Sequence, residues 1–145
     1  MRDRLLTDRR SILKAFGGLG ALAAAGHGSQ VLLADGNYPA ATAKPLGAPV
    51  IHLNLQPGLL SVTQVLKPIL EAVTIEAAHV MALPDNGRVP AHEEYQQLLG
   101  EAVGLSVVER FAFYEAARGP DVAFVVATGD QRICANLLLT IGVRT

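Results

Sequence analysis

His27 stands between Gly26 and Gly28, and a short apolar run after it stops at Asp35. An imidazole titrates near neutral pH and can both give and take a proton. The flanking glycines leave its backbone unrestricted. Aspartate is depleted in strands and costly to bury without partners, so Asp35 must meet a turn, a backbone cap or a ligand. The two side chains could form an acid/base pair, or simply a surface histidine and an Asx-turn. Arg110 follows "SVVE" and precedes an aromatic cluster of Phe111, Phe113 and Tyr114. Its guanidinium could pair with Glu109 or Glu115, or serve as a fork that holds polar groups of a ligand. The aromatics fall at helical spacing, which suits a core, although Tyr114 could show its hydroxyl. Cys134 has no sequence neighbour that would activate it as a nucleophile and reads as a small buried or edge residue.

Other chemistries find little support. His52, His79 and His92 are scattered, and without HExxH, CxxC or a carboxylate cluster no metal site is expected. There is no GxGxxG, Walker A or GxSxG motif. Lys and Arg number 12 against 13 Asp and Glu, so no basic footprint invites nucleic acid. A single cysteine excludes an internal disulfide framework and suits a reducing compartment. No solenoid repeat is present. The 145 residues, half of them apolar, are enough for one domain with a sizeable core, here expected to span 1–145.

These side chains need a frame. Apolar runs bounded by turn residues predict strands at 30–35, 50–55, 77–83, 105–110, 122–130 and 135–143. Helical spacing predicts helices at 58–73, 91–103 and 111–119, with Pro68 bending or breaking the first and Pro90 opening the second. Strands that alternate with helices, most of them apolar on both faces, imply an α/β protein whose sheet is covered on both sides. Ligands in such sheets gather beyond the carboxyl ends of strands, where Asp35, Arg110 and the Thr128-Gly129-Asp130 turn should lie.

The first 26 residues admit two readings. Arg9-Arg10 followed by "SILKAFGGLGALAAAG" has the layout of a twin-arginine export signal. The same stretch can be a helix at about 9–25, capped by Asp8 or Ser11 and closed at Gly26. Removal near Ala25 would leave His27 on a frayed terminus, so the helix is expected to belong to the domain and the protein to the cytoplasm.

Taken together, "GHG" at 26–28, "VLLADGNYP" at 31–39, "ERFAFYEAA" at 109–117, "AFVVATGD" at 123–130 and "ANLLLTIGV" at 135–143 resemble the RbsD/FucU family of sugar mutarotases. "RFAFYE" and "VVATG" point to the fucose branch, whereas "LNLQPGLLSVTQVL" at 53–66 is similar to the ribose pyranase branch. The resemblance implies a single-domain α/β fold of the RbsD type with a mixed sheet and helices on both faces. It implies a homo-oligomer, commonly a ring-shaped decamer with active sites near subunit contacts, and neither metal nor cofactor. It assigns His27 as proton donor, and Asp35, Arg110, Asn136, Cys134, Ala135 and Tyr114 to sugar binding. The implied activity is anomer interconversion of a monosaccharide, L-fucose first and D-ribose as the alternative. A non-catalytic sugar-binding or regulatory ring is the rival of another class.

The sequence departs from the family pattern in its chemistry. Cys134 stands where the family carries a tyrosine, and Ser29-Gln30 replaces an acidic pair, so His27 is expected to lack a carboxylate partner. Tyr38 or Tyr114 could fill the place of the missing phenol.

Overall fold

The computed structural model describes residues 21, 22 and 24–144. The helix expected at 9–25 therefore lies mostly outside the described residues. Its last part is helical at Ala21, Leu22 and Ala24, and Leu22 packs into the core.

Among the described residues six strands form one sheet: β1 (Gln30–Ala34), β2 (Val50–Leu53), β3 (Ile75–Met81), β4 (Leu105–Val108), β5 (Val122–Thr128) and β6 (Leu137–Ile141), in the order β2-β5-β1-β6-β3-β4. β6 runs antiparallel to both neighbours, and every other pairing is parallel. The carboxyl ends of β1 to β5 therefore share one edge with the amino end of β6. β1 lies between β5 and β6 and is apolar on both faces because both are covered: Val31 and Leu33 enter one core, Leu32 and Ala34 the other. Each of these valine and leucine side chains, fully removed from water, contributes about 1.5–3 kcal/mol.

Among the described residues, three complete helices cover the sheet. α1 (Val62–Ala72) and α2 (Pro90–Leu99) pack on the Val31 face, through Val62, Val65, Leu66 and Ile69 and through Ala91 and Tyr95. α3 (Arg110–Ala117) covers the Leu32 face with Phe113 and Ala117. α1 begins later than the apolar spacing suggests, because Ser61 and Gln64 close a capping box there. Residues 56–60 instead turn over the β5 end, where Gly129 is obligatory: a Cβ would sit 2.4 Å from the carbonyls of Gln56 and Leu59. Pro68 does not interrupt α1. Its ring is buried, and that packing is set against the N–H bond it cannot make.

Candidate functional site

The carboxyl edge of the sheet carries a dense polar cluster. Asp35, the residue after β1, is 5 % exposed. Its Oδ1 accepts the Asn37 N–H at 3.0 Å and its Oδ2 the Ala135 N–H at 3.2 Å. Its own N–H donates to Asn136 Oδ1 at 2.7 Å. Asp35 and Asn136 thus meet because β1 and β6 are neighbours, and the Asn136 Nδ2 group is left to donate elsewhere. Burial pushes the Asp35 carboxyl above its ordinary value, the nearby Asp130 charge adds to this, and the backbone donors only partly oppose it.

Asp130, at the end of neighbouring β5, is equally buried but paired. Its carboxylate takes the Val62 N–H at the start of α1 and three bonds from Arg132, through the backbone N–H, Nε and Nη2. Arg132 continues to Glu94 Oε2 at 2.6 Å and Thr63 Oγ1 at 2.9 Å, tying the turn to α1 and α2. Burial raises the Asp130 carboxyl, but the guanidinium and the backbone donors outweigh it and hold it below the usual carboxylate range.

Between these aspartates and β6 runs the segment Cys134-Ala135-Asn136. Cys134 has φ 56, a left-handed conformation that costs a residue with a Cβ about 1–2 kcal/mol. His92 Nε2 lies 2.9 Å from the Cys134 carbonyl, and the Tyr95 hydroxyl donates to the Ala135 carbonyl at 2.7 Å. Burial lowers the His92 pKa, so at neutral pH the ring is uncharged and donates through Nε2. The Cys134 thiol is pushed up by burial and by Asp35, against the opposing charge of Arg110.

Arg110 opens α3 and lies across the Phe111 ring, 4.8 Å from its centroid, and forms no ion pair among the described residues. It lines a cleft of about 310 Å³ with Ala82, Leu83, Asn86, Glu109 and Phe111. Cys134 Sγ points at the Ala82 carbonyl beside this cleft. A larger cleft, about 540 Å³, is lined by Asn37, Asn54, Gln56, Thr128 and Gln131, all neutral. Size favours the second cleft, which Gly36 and Asn37 line next to the buried Asp35, whereas Glu109 and Arg110 stand at the first. Tyr114 is half-buried and stacked on Tyr38, ring centroids 5.4 Å apart. The Tyr38 hydroxyl is buried and donates to the Ala43 carbonyl, so it does not take the place of the missing phenol. Among the described residues no group of three His, Cys, Asp or Glu is placed to hold a metal ion.

His27 lies elsewhere. It precedes β1, at the opposite edge of the sheet, with its side chain 58 % exposed. Strand β1 alone separates Gln30 from Asp35 by about 17 Å at its rise per residue, and His27 is further back still. Within one chain the structure joins Asp35, Ala135 and Asn136, with Cys134 and Arg110 beside them, and leaves His27 apart. The carboxylate missing at Ser29 is supplied from β3: Glu76 Oε2 lies 3.1 Å from His27 Nε2. Sequence reasoning passed over Glu76, Arg132 and Tyr95, and weighed His92 only as a metal ligand. Only the spacing of His92 and Tyr95 on one helix face could have signalled any of them.

This fold and this edge define a class, and the sequence agrees. The chain matches the RbsD / FucU transport protein family over residues 18–144 and belongs to that family. It is 36 % identical over 135 residues to a fucose mutarotase of Danio rerio, covering 84 % of each chain. It is 34 % identical over 131 residues to D-ribose pyranase 2 of Streptomyces griseus, covering 86 % of this chain and 89 % of that one. A fucose mutarotase from Streptococcus pneumoniae, solved in complex with L-fucose, shares the fold with a TM-score of 0.77 at 23 % identity, over 91 % of this chain and 96 % of the other.

Proposed function

We propose that the chain is a monosaccharide mutarotase acting on L-fucose, by proton transfer that opens and recloses the pyranose ring. The observation that carries the reading is Asp35: a buried carboxyl with its pKa raised and no ion pair among the described residues, on the ligand-binding edge of the sheet. A carboxyl moved toward neutrality is suited to general acid/base work. The likeness to the fucose mutarotase of Danio rerio supports the substrate.

Ring opening needs a proton delivered to the ring oxygen and another removed from the anomeric hydroxyl. The bond from the anomeric carbon to the ring oxygen then breaks, and the anomeric carbon becomes an aldehyde. After rotation about the adjoining carbon–carbon bond, the reverse transfers reclose the ring as the other anomer and restore both protons. Asp35 takes the hydroxyl proton and His27 serves as the acid. Asn136, Arg110 and the Cys134-Ala135 backbone orient the sugar hydroxyls, with Tyr114 behind them.

A single sugar cannot span β1, so the acid comes from a second copy: His27 of the partner subunit reaches the Asp35 edge. This supports a homo-oligomer, a ring-shaped decamer being the form proposed. The cytoplasm is its place, where enzymes that accept one anomer consume the sugar. D-ribose is the second substrate reading, supported by the ribose pyranase relative.

Exchange NMR on L-fucose, D-ribose and D-galactose tests this. The wild type should accelerate L-fucose exchange most, and His27→Ala and Asp35→Asn should each lose it. Mixed and reassembled, the two variants should regain activity, because some sites then combine an intact His27 with an intact Asp35. Binding without acceleration would instead make the protein a sugar-binding ring, and no regain on mixing would refute the shared site.

A further inference from the structure

Helix α2 supplies no residue to the sugar-binding set, yet two of its side chains hold the backbone of that set. His92 and Tyr95 lie on one face of the helix and bond successive carbonyls, those of Cys134 and Ala135, at 2.9 and 2.7 Å. From the other side the Ala135 N–H is held by Asp35 at 3.2 Å. The segment is therefore gripped on both sides where Cys134 adopts φ 56. A non-glycine residue stays in that conformation only when its surroundings over-determine it.

Satisfying buried carbonyls is a sufficient account of Tyr95, because Tyr95 and Ala135 are both fully buried. It is not sufficient for His92. His92 and Cys134 are only partly buried, so water could serve that carbonyl equally well. What water cannot do is fix the direction of the carbonyl, and with it the plane of the peptide that presents the Ala135 N–H to Asp35. We propose that His92 is a positioning residue for sugar binding, whose Nε2–H bond to the Cys134 carbonyl holds Cys134-Ala135-Asn136 in the conformation that receives the sugar. This rests on the reading of that segment as part of the sugar site. His92 touches neither the sugar nor the transferred protons, so its loss should weaken binding and leave the chemical step alone.

The test compares His92→Leu, which fills the space without a donor, with His92→Gln, which keeps a side-chain N–H. Two readouts are taken: the KM and kcat of L-fucose anomer exchange, and hydrogen-exchange mass spectrometry of residues 133–137. His92→Leu should raise KM by about fivefold to tenfold, with kcat within about twofold, and raise amide exchange in 133–137 by a similar factor. His92→Gln should restore both to within about twofold of wild type. Unchanged KM and unchanged amide exchange in His92→Leu would overturn the proposal. So would His92→Gln behaving like His92→Leu, or a loss confined to kcat. If His92→Leu fails to fold, His92→Asn, too short to reach the carbonyl, takes its place with the same expectations. If the wild type accelerates no sugar, the mutarotase reading falls by itself. The amide exchange of 133–137 then decides the positioning role alone, and unchanged protection refutes it.

Discussion

Two aspartates end neighbouring parallel strands, Asp35 after β1 and Asp130 after β5, and they are 5 % and 2 % exposed. Their carboxyls nevertheless move in opposite directions. Burial penalises both charges alike. Asp130 answers with the guanidinium of Arg132 as well as backbone donors, whereas Asp35 has backbone donors and the adverse charge of Asp130. A buried carboxylate with a cation is a structural tie. One with dipoles alone sits nearer its neutral form and can exchange a proton with a ligand. Two residues of the same type in one layer are thus set apart, one tied by a cation and one held by backbone donors alone.

The contrast is broken most sharply at Asp35. Asp35→Asn should slow L-fucose anomer exchange by about 10²- to 10⁴-fold, measured by exchange NMR. If Asp130→Asn lost activity as steeply while remaining folded, the division of roles would be wrong. Next comes Asp130→Ala, which leaves the Val62 N–H without its acceptor and Arg132 with only Glu94 and Thr63. It should cost about 3 kcal/mol, a fall of roughly 10 °C in Tm by calorimetry.

A subtler test uses pH. The folded pKa of Asp35 is raised above 3.8, so its contribution to stability is full below that value and is lost as pH rises through the folded one. The folded pKa of Asp130 is lowered from 3.8, so its contribution is full above that value and is lost as pH falls through the folded one. The Tm advantage of wild type over Asp35→Asn should therefore shrink as pH rises above about 4, while that over Asp130→Asn should shrink as pH falls below about 4. Slopes of the same sign would refute the opposition. The smallest effect belongs to the other sheet edge. Glu76→Gln removes an exposed pair with His27 and should change stability by no more than about 0.5 kcal/mol in a denaturant melt.

The elements that carry Asp35 and Asp130 could be read from composition alone, since buried parallel strands are apolar on both faces and end at polar turn residues. The start of α1 was displaced because Ser61 and Gln64 form a local cap that apolar periodicity does not register. The Arg132 network escaped notice for a different reason. Its partners Thr63 and Glu94 lie on two helices far along the chain from the turn that holds Asp130 and Arg132, and charged residues in a turn are ordinary on a surface. The doubt raised by Ser29 had the same origin: the carboxylate facing His27 comes from Glu76, 49 positions away.

What the sequence determined by itself is the set of strands and helices, the family, and the identity of the polar residues that end the strands. Local periodicity and turn chemistry are written in neighbouring residues. The strand order was decided only in three dimensions. By seating β1 between β5 and β6 it brings Asp35 to Asn136, 101 positions away, and by running β1 straight through the sheet it holds His27 from Asp35. Hydrogen bonds and charges act over a few ångströms, so proximity in space, which spacing along the chain does not record, decides which buried carboxylate is tied by a cation and which is held by backbone donors alone.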